Sequence, residues 1–365
     1  MNTLLPFHKS YKWFYISLIC LLLTTCQKCK HKDAGITEFK PEPVKIEKQE
    51  VNTLKIGEEA PDFRLPDVSG KFFSLHDFTK ADVLVIIFTC NHCPTAQAYE
   101  DRIIRFTDEY KNKGVQVVAI SPTSVYGLLL EECGYSDLDD TYESMKIRAE
   151  NKGFNFPYLY DGDNQRTSIR YGPVATPHVF VFNRERKLKY IGRIDASEKP
   201  GTADAEDLRL AVDAILNDQE PENPVNKAFG CSIKWSWKTE WTEKVNADWN
   251  SREVILHELN IKELEELKQN NTDKLLLVNI WATWCAPCII EYPELIKLQR
   301  MYGNRAFKFV SVSADNPDSS DKVHAFLQSK HSATDNYIYK EEDKYALIEA
   351  VDTSWNGALP NSMLI

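Results

Sequence analysis

Short continuous apolar runs punctuate this chain, each followed by a segment of helical spacing. "DVLVIIF" (82–88), "VQVVAIS" (115–121), "KLLLVNI" (274–280) and "FKFVSVSAD" are brief and rich in apolar, often β-branched residues, as buried central strands should be. After the first, "AYEDRIIRFTDEY" places Tyr99, Ile103, Ile104, Phe106 and Tyr110 at helical intervals. "TYESMKIRAENKG" predicts a helix closed by Gly153. "HVFVFNRERKLKYIGRI" predicts a hairpin turning through Asn183 to Arg186, and "DAEDLRLAVDAILND" a last amphipathic helix. Upstream, "IGEEAPDFRLPDVSGKFFSLHDF" alternates in runs broken by Pro and Gly, which predicts a β-hairpin extension.

The plan then repeats. "KLLLVNI" leads into the helix "CIIEYPELIKLQRMYG", where Pro293 predicts a kink. The strand "FKFVSVSAD" and the helix "SDKVHAFLQSK" follow. "ALPNSMLI" opens a strand as "ATPHVFVF" does in the first half. The fold class is α/β, with two central mixed sheets flanked by helices. The first domain is placed at 54–235, a linker at 236–251 and the second domain at 252–365.

Residues 1–25 differ from the rest. His8, Lys9 and Lys12 precede the apolar run "WFYISLICLLLTTC", which is shorter than the roughly 20 residues a membrane-spanning helix needs. This predicts a secretory signal. Its end, "LTTC", resembles a bacterial lipobox with Cys26 as the lipidated residue. Thr25 stands where Gly, Ala or Ser is usual, so cleavage without lipidation, or elsewhere, stays open. Residues 26–53 are charged and poor in apolar groups, and read as a disordered tether.

Composition narrows the function classes. Of 365 residues, 43% are hydrophobic and 27% charged, as in globular proteins, and the net charge of −10 argues against nucleic acid as a partner. Nine cysteines are too few for a disulfide-stapled miniprotein. Export would place them in an oxidising compartment.

The candidate chemistry sits where each plan begins. "FTCNHCP" and "WATWCAPC" both read strand end, Cys-x-x-Cys, helix. That spacing puts the first sulfur at the helix's positive end and the second one turn inside. Cys90 and Cys285 are therefore expected as attacking thiolates, with Cys93 and Cys288 resolving the mixed disulfide. His92 would stabilise the Cys90 thiolate, or face solvent without effect. A zinc site would need a second pair or further His ligands. A copper site at His92 and Cys93 lacks a third ligand at a suitable spacing, so no metal or other cofactor is expected. Pro287 stiffens its turn. Glu291, three residues after Cys288, shares its side of the helix and would take or return its proton, or is a surface Glu. Ala96 is read as its counterpart in the first domain. Trp284 would shield Cys285, with Trp281 as core. Cys231 is either a resolving partner for the first site or an inert thiol. Cys133 and Cys29 have no argued role.

Both segments resemble the thioredoxin fold. The resemblance implies that Pro177, after Thr176, and Pro360, after Leu359, open their strands with cis peptide bonds facing the cysteines. The second domain, through "LLVNIWATWCAPCIIEYPEL", resembles the TlpA/ResA type of thiol-disulfide oxidoreductase, which implies an acid at Glu291. The first, through "FTCNHCP…AYEDR", "TPHVFVF" and "GCSIKW", resembles redoxin-like relatives of the AhpC/TSA group. Measured against the first domain, the second is expected to be incomplete after Pro360, as in a fragment.

The resemblance implies an extracytoplasmic thiol-disulfide oxidoreductase with two dithiol sites and no bound cofactor. It would exchange disulfides with exported thiol proteins, be served by a redox partner protein and hold to the membrane by a lipid anchor, facing the periplasm. Two sites of unequal potential allow a relay within the chain or two separate partners. Two other classes stay open. A thiol peroxidase of the AhpC/TSA kind would carry P-x-x-x-T/S-x-x-C, but Thr89 directly precedes Cys90 and no Pro lies upstream in that strand. A noncatalytic or metal-handling first domain would be free to lose its cysteines or Thr176-Pro177.

Overall fold

The computed structural model describes residues 39–136 and 138–365. The signal segment, Cys26, Cys29 and the start of the tether lie outside the described residues. Lys40–Ile365 form one compact unit.

The first domain opens with a hairpin, β1 (Arg64–Pro66) and β2 (Phe72–Ser74). Its main elements follow as β3 (Val83–Phe88), α1 (Pro94–Tyr110), β4 (Val115–Ser121) and α2 (Tyr142–Lys152). Then come β5 (Tyr158–Tyr160), α3 (Arg166–Tyr171), β6 (His178–Phe182), β7 (Leu188–Gly192) and α4 (Glu206–Leu216). The sheet order is β5-β4-β3-β6-β7. β3, β4 and β5 run parallel, and β6 and β7 turn back antiparallel. All six residues of β3 are buried because it is the middle strand, with apolar layers on both faces. Helix α1 buries Tyr99, Ile103, Phe106 and Tyr110, a single stripe at helical spacing. Helix α2 starts on a Thr141 hydroxyl cap and stops at Gly153 in the left-handed conformation.

The stretch read as a linker is a helix, α5 (Thr239–Asn250). It joins the two halves. The Thr242 hydroxyl donates to Tyr126 O at 2.8 Å, and Trp249 is buried in the second domain's core. The charge of "TEWTEKVNADWN" hid it: the helix touches each domain through few residues and leaves the rest in solvent. Part of the expected tether is ordered too. Val44 N donates to Asp163 O, Ile46 N to Ser236 Oγ and Leu54 N to Tyr171 O, so residues 40–54 run along the first domain. The backbone groups of this polar segment find partners there instead of water.

The second domain comprises β8 (Leu256–Leu259), α6 (Ile261–Lys268), β9 (Leu275–Trp281), α7 (Ala286–Tyr302) and β10 (Phe307–Ser313). It continues through α8 (Ser320–Ser329), β11 (Asp335–Tyr339), α9 (Lys344–Val351) and β12 (Asn361–Leu364). The order is β12-β9-β10-β11-β8, with only β12 antiparallel. α7 runs on through Pro293. Its C-terminal end meets the first domain. Arg300 Nε donates to Glu131 Oε1 at 2.9 Å and Nη2 to Asn246 at 2.6 Å, while Arg305 stacks on Tyr135 and bonds Gly134 O. Among the described residues, no helix is long and apolar enough to cross a membrane.

Candidate active sites

Sheet register decides which residues of the two sites correspond. Phe88 in β3 pairs with Ile120 on one side and His178 on the other. Ile280 in β9 pairs with Val312 and Asn361 in the same way. The peptide bonds before Pro177 and Pro360, each just ahead of the pairing residue, are both cis. Counting forward from Phe88 and Ile280, Cys93 falls on Cys285, Ala96 on Cys288 and Tyr99 on Glu291. Cys90 falls on Ala282.

This corrects the expectation that Cys90 caps its helix. Cys93 is the N-cap of α1 and Cys285 the N-cap of α7. Pro94 is the cause. It fits the first helical position, and its ring keeps the preceding residue out of the helical region. Cys93 accordingly has φ −78° and ψ 117°. Ala96 is thus the counterpart of Cys288, and Tyr99 that of Glu291. The identical Cys-x-x-Cys spacing conceals a three-residue offset.

Cys90 and Cys93 are 2% and 0% exposed. The Cys90 sulfur lies 3.1 Å from Thr176 Oγ1. Around the Cys93 sulfur gather Ala96 N at 3.4 Å, Cys231 N at 3.3 Å and the thiols of Cys231 and Cys90. As a thiol it donates to Thr176 O at 3.1 Å. Donors outnumber acceptors, so Cys93 is held well below the ordinary thiol range, chiefly by the Cys231 and Cys90 thiols. Burial drives Cys90 the other way, aided by its contact with Cys93 and the charge of Asp140. Cys231 is pushed up by giving its hydrogen bond to Cys93, and then by burial. In direction of acidity, Cys93 and not Cys90 is the thiol favoured toward its anion.

His92 does not face solvent. It is buried, with Nδ1 against Asp140 Oδ2, and Asn91 N donates to Asp140 Oδ1 at 2.5 Å. Burial opposes its charge, but the charge and hydrogen bond of Asp140 together outweigh this and raise its pKa. Its Nε2 is buried without a partner among the described residues. Cys90, His92 and Asp140 present donor atoms within 4.8 Å of one another; this set takes Cys90 in place of the Cys93 considered beside His92, and its third member stands 48 residues after His92. No sequence signal marked Asp140. "DDT" ahead of a helix reads as capping chemistry, and there Thr141 caps while Asp139 braces the cap, accepting from Thr141 N and the Ser144 hydroxyl.

Cys231, by sequence either a resolving partner or an inert thiol, lies at the first site. It reaches the site because Thr176 N donates to Cys231 O at 2.9 Å, a bridge between segments far apart in sequence. Gly230 has φ +143°, and a Cβ there would collide with Thr176 O, so only glycine lets the strands approach.

In the second site, Cys285 and Cys288 are joined as a disulfide, and Cys288 N donates to Cys285 Sγ at 3.3 Å. Trp284 is 68% exposed beside the buried Cys285, so it flanks the sulfur instead of covering it. Trp281 is core, its Nε1 donating to Ser311 Oγ at 2.7 Å. Pro287 is exposed, and Leu359 packs half-buried against the core ahead of Pro360. Glu291 accepts from Asn279 Nδ2 at 3.1 Å, and the same amide donates to Ser362 Oγ at 3.0 Å. The carboxylate is thereby held on the inner side of α7, toward the central strand. The "YEDR" of α1 is structural. Tyr99 and Arg102 both bond the buried carboxylate of Asp195, and Glu100 pairs with Arg148.

Comparison with known proteins agrees with this architecture. Residues 56–191 match the AhpC/TSA family model, and residues 257–356 the Redoxin model. Thiol-disulfide oxidoreductase ResA of Bacillus thuringiensis is 26% identical over 137 residues, 37% of this chain and 68% of that protein. Peroxiredoxin Bcp of Escherichia coli is 31% identical over 115 residues, 32% of this chain and 63% of its own length. A hypothetical protein, SMc02350, from Sinorhizobium meliloti has a solved structure with a TM-score of 0.45 and 32% identity, covering 52% of this chain and 98% of that one. The chain is a tandem thioredoxin-like protein, an AhpC/TSA-type domain followed by a redoxin-type domain.

Proposed function

We propose that this chain is an exported thiol-disulfide oxidoreductase that exchanges disulfides with other exported proteins, with one thiol site in each domain. The observation that carries the reading is the second site: Cys285 caps α7, Cys288 lies one turn inside, and the cis Pro360 leads into β12, which pairs with β9, the strand ahead of Cys285. The helix N-terminus favours the Cys285 thiolate. That thiolate attacks a substrate disulfide, forming a mixed disulfide and releasing one substrate thiolate. Cys288 then attacks Cys285 Sγ, closes the Cys285–Cys288 bond and frees the second thiolate. Glu291, fixed by Asn279, takes the Cys288 proton. A separate redox partner protein returns the pair to dithiols, so no bound cofactor enters. The basic and apolar character of residues 1–25 and the lipobox-like end at Cys26 support a place outside the cytoplasm, on a lipid anchor facing the periplasm.

The test is reduction of insulin by dithiothreitol, followed as turbidity, with the whole mature chain. Acceleration that disappears in Cys285→Ala is expected. Equal rates with and without Cys285 would sink the reading. Peroxide-dependent thiol oxidation in place of insulin reduction would make it a peroxidase.

A further inference from the structure

The first domain has three sulfurs around one point and only one of them near the surface. Cys90 and Cys93 are buried, whereas Cys231 is half-buried and its backbone and side chain both reach the Cys93 sulfur. Position 96, where the second domain keeps its resolving cysteine, holds alanine. Cys90 lies on the strand side of the N-cap with its sulfur against the Thr176 hydroxyl, away from any helix turn. We propose that the working dithiol of the first domain is Cys93–Cys231, not the Cys90–Cys93 pair that the motif spells. The inference rests on reading the first domain as a thiol site, and deepens it by naming the sulfurs.

The exchange balances as follows. Cys93 begins as the thiolate, facing the Cys231 thiol and its backbone N–H. The half-buried Cys231 sulfur attacks a substrate disulfide, forming a Cys231–substrate bond and expelling one substrate thiolate, which carries off the Cys231 proton. Cys93 next attacks Cys231 Sγ, forming the Cys93–Cys231 bond and expelling the second substrate thiolate. Two electrons pass from the dithiol to the substrate disulfide, and the reverse sequence oxidises a substrate dithiol. Cys90 remains a thiol throughout and donates to the Cys93 anion. It is a positioning residue.

Tryptic mapping of the oxidised whole chain separates the alternatives without any substitution. Cys90 and Cys93 share the peptide 81–102, while Cys231 lies in 228–234. Oxidation by glutathione disulfide is expected to link the two peptides, reversibly by dithiothreitol. The link should persist in Cys90→Ala and vanish in Cys231→Ala. Gly230→Ala, which alters no sulfur, should also abolish it by pushing Cys231 off Thr176. An internal disulfide within 81–102 that survives Cys231→Ala would overturn the proposal, and so would three thiols that never oxidise reversibly. The proposed function fails on another readout, the Cys285-dependent reduction of insulin.

Discussion

At the scale of single residues, position relative to the helix start outweighs motif spelling. His92 and Asp140 are an example with a pH signature. The folded His92 pKa is raised above its unfolded value of about 6.5, so this pair's contribution to stability is full below that value. It is lost as pH climbs through the higher folded value. Comparing wild type with Asp140→Asn by chemical denaturation, the stability gap should be widest near pH 5–6 and shrink toward pH 9. A gap constant over that range would mean that His92 does not titrate against Asp140. At the other site, Glu291→Gln keeps an acceptor for Asn279 but loses the proton acceptor. Resolution by Cys288, followed by stopped-flow tryptophan fluorescence, should slow on the order of 100-fold. An unchanged rate would make Glu291 a surface residue.

At the scale of elements, the buried ion pair between α1 and the turn after β7 holds the first helix in place. Arg102 and Asp195 are both buried, and Tyr99 adds a hydroxyl to the same carboxylate. Arg102→Ala should cost about 3–5 kcal/mol in urea denaturation of the first domain, because Asp195 is left charged and unpaired. Most elements around these ionic ties could be read from sequence. Strands β3, β4, β9 and β10 are continuous apolar runs, and α1, α2 and α4 carry helical stripes. What escaped were short pieces whose identity depends on neighbours: β5, β8 and β11 at three to five residues, α3 at six, α6 and α9 at eight, and polar α5. The site was half legible. Both Cys-x-x-Cys pairs and both prolines stand out locally. The offset of Cys93, the inward turn of Asp140 and the approach of Cys231 are tertiary events that leave no local pattern.

At the scale of the molecule, the domains are held by α5 and by the arginines at the end of α7. Arg300 reaches both Glu131 and Asn246. Arg300→Ala should loosen that contact and speed limited proteolysis within 239–250, while an unchanged cleavage pattern would assign the docking to α5 itself. The separation of Cys93 from Cys231 has a thermodynamic consequence of its own. The two lie 138 residues apart in sequence, whereas Cys285 and Cys288 lie three apart. By chain-entropy arithmetic, closing the long loop removes about 5 kcal/mol of freedom from the unfolded chain, against about 2 kcal/mol for the short one. Electron transfer at the first site would therefore be written into heat resistance: the oxidised first domain melts well above the reduced one, while the second shifts by less. A calorimetric scan at two glutathione poises would then report the first site's redox state directly. Coincident first-domain melting curves would show that its disulfide closes no long loop.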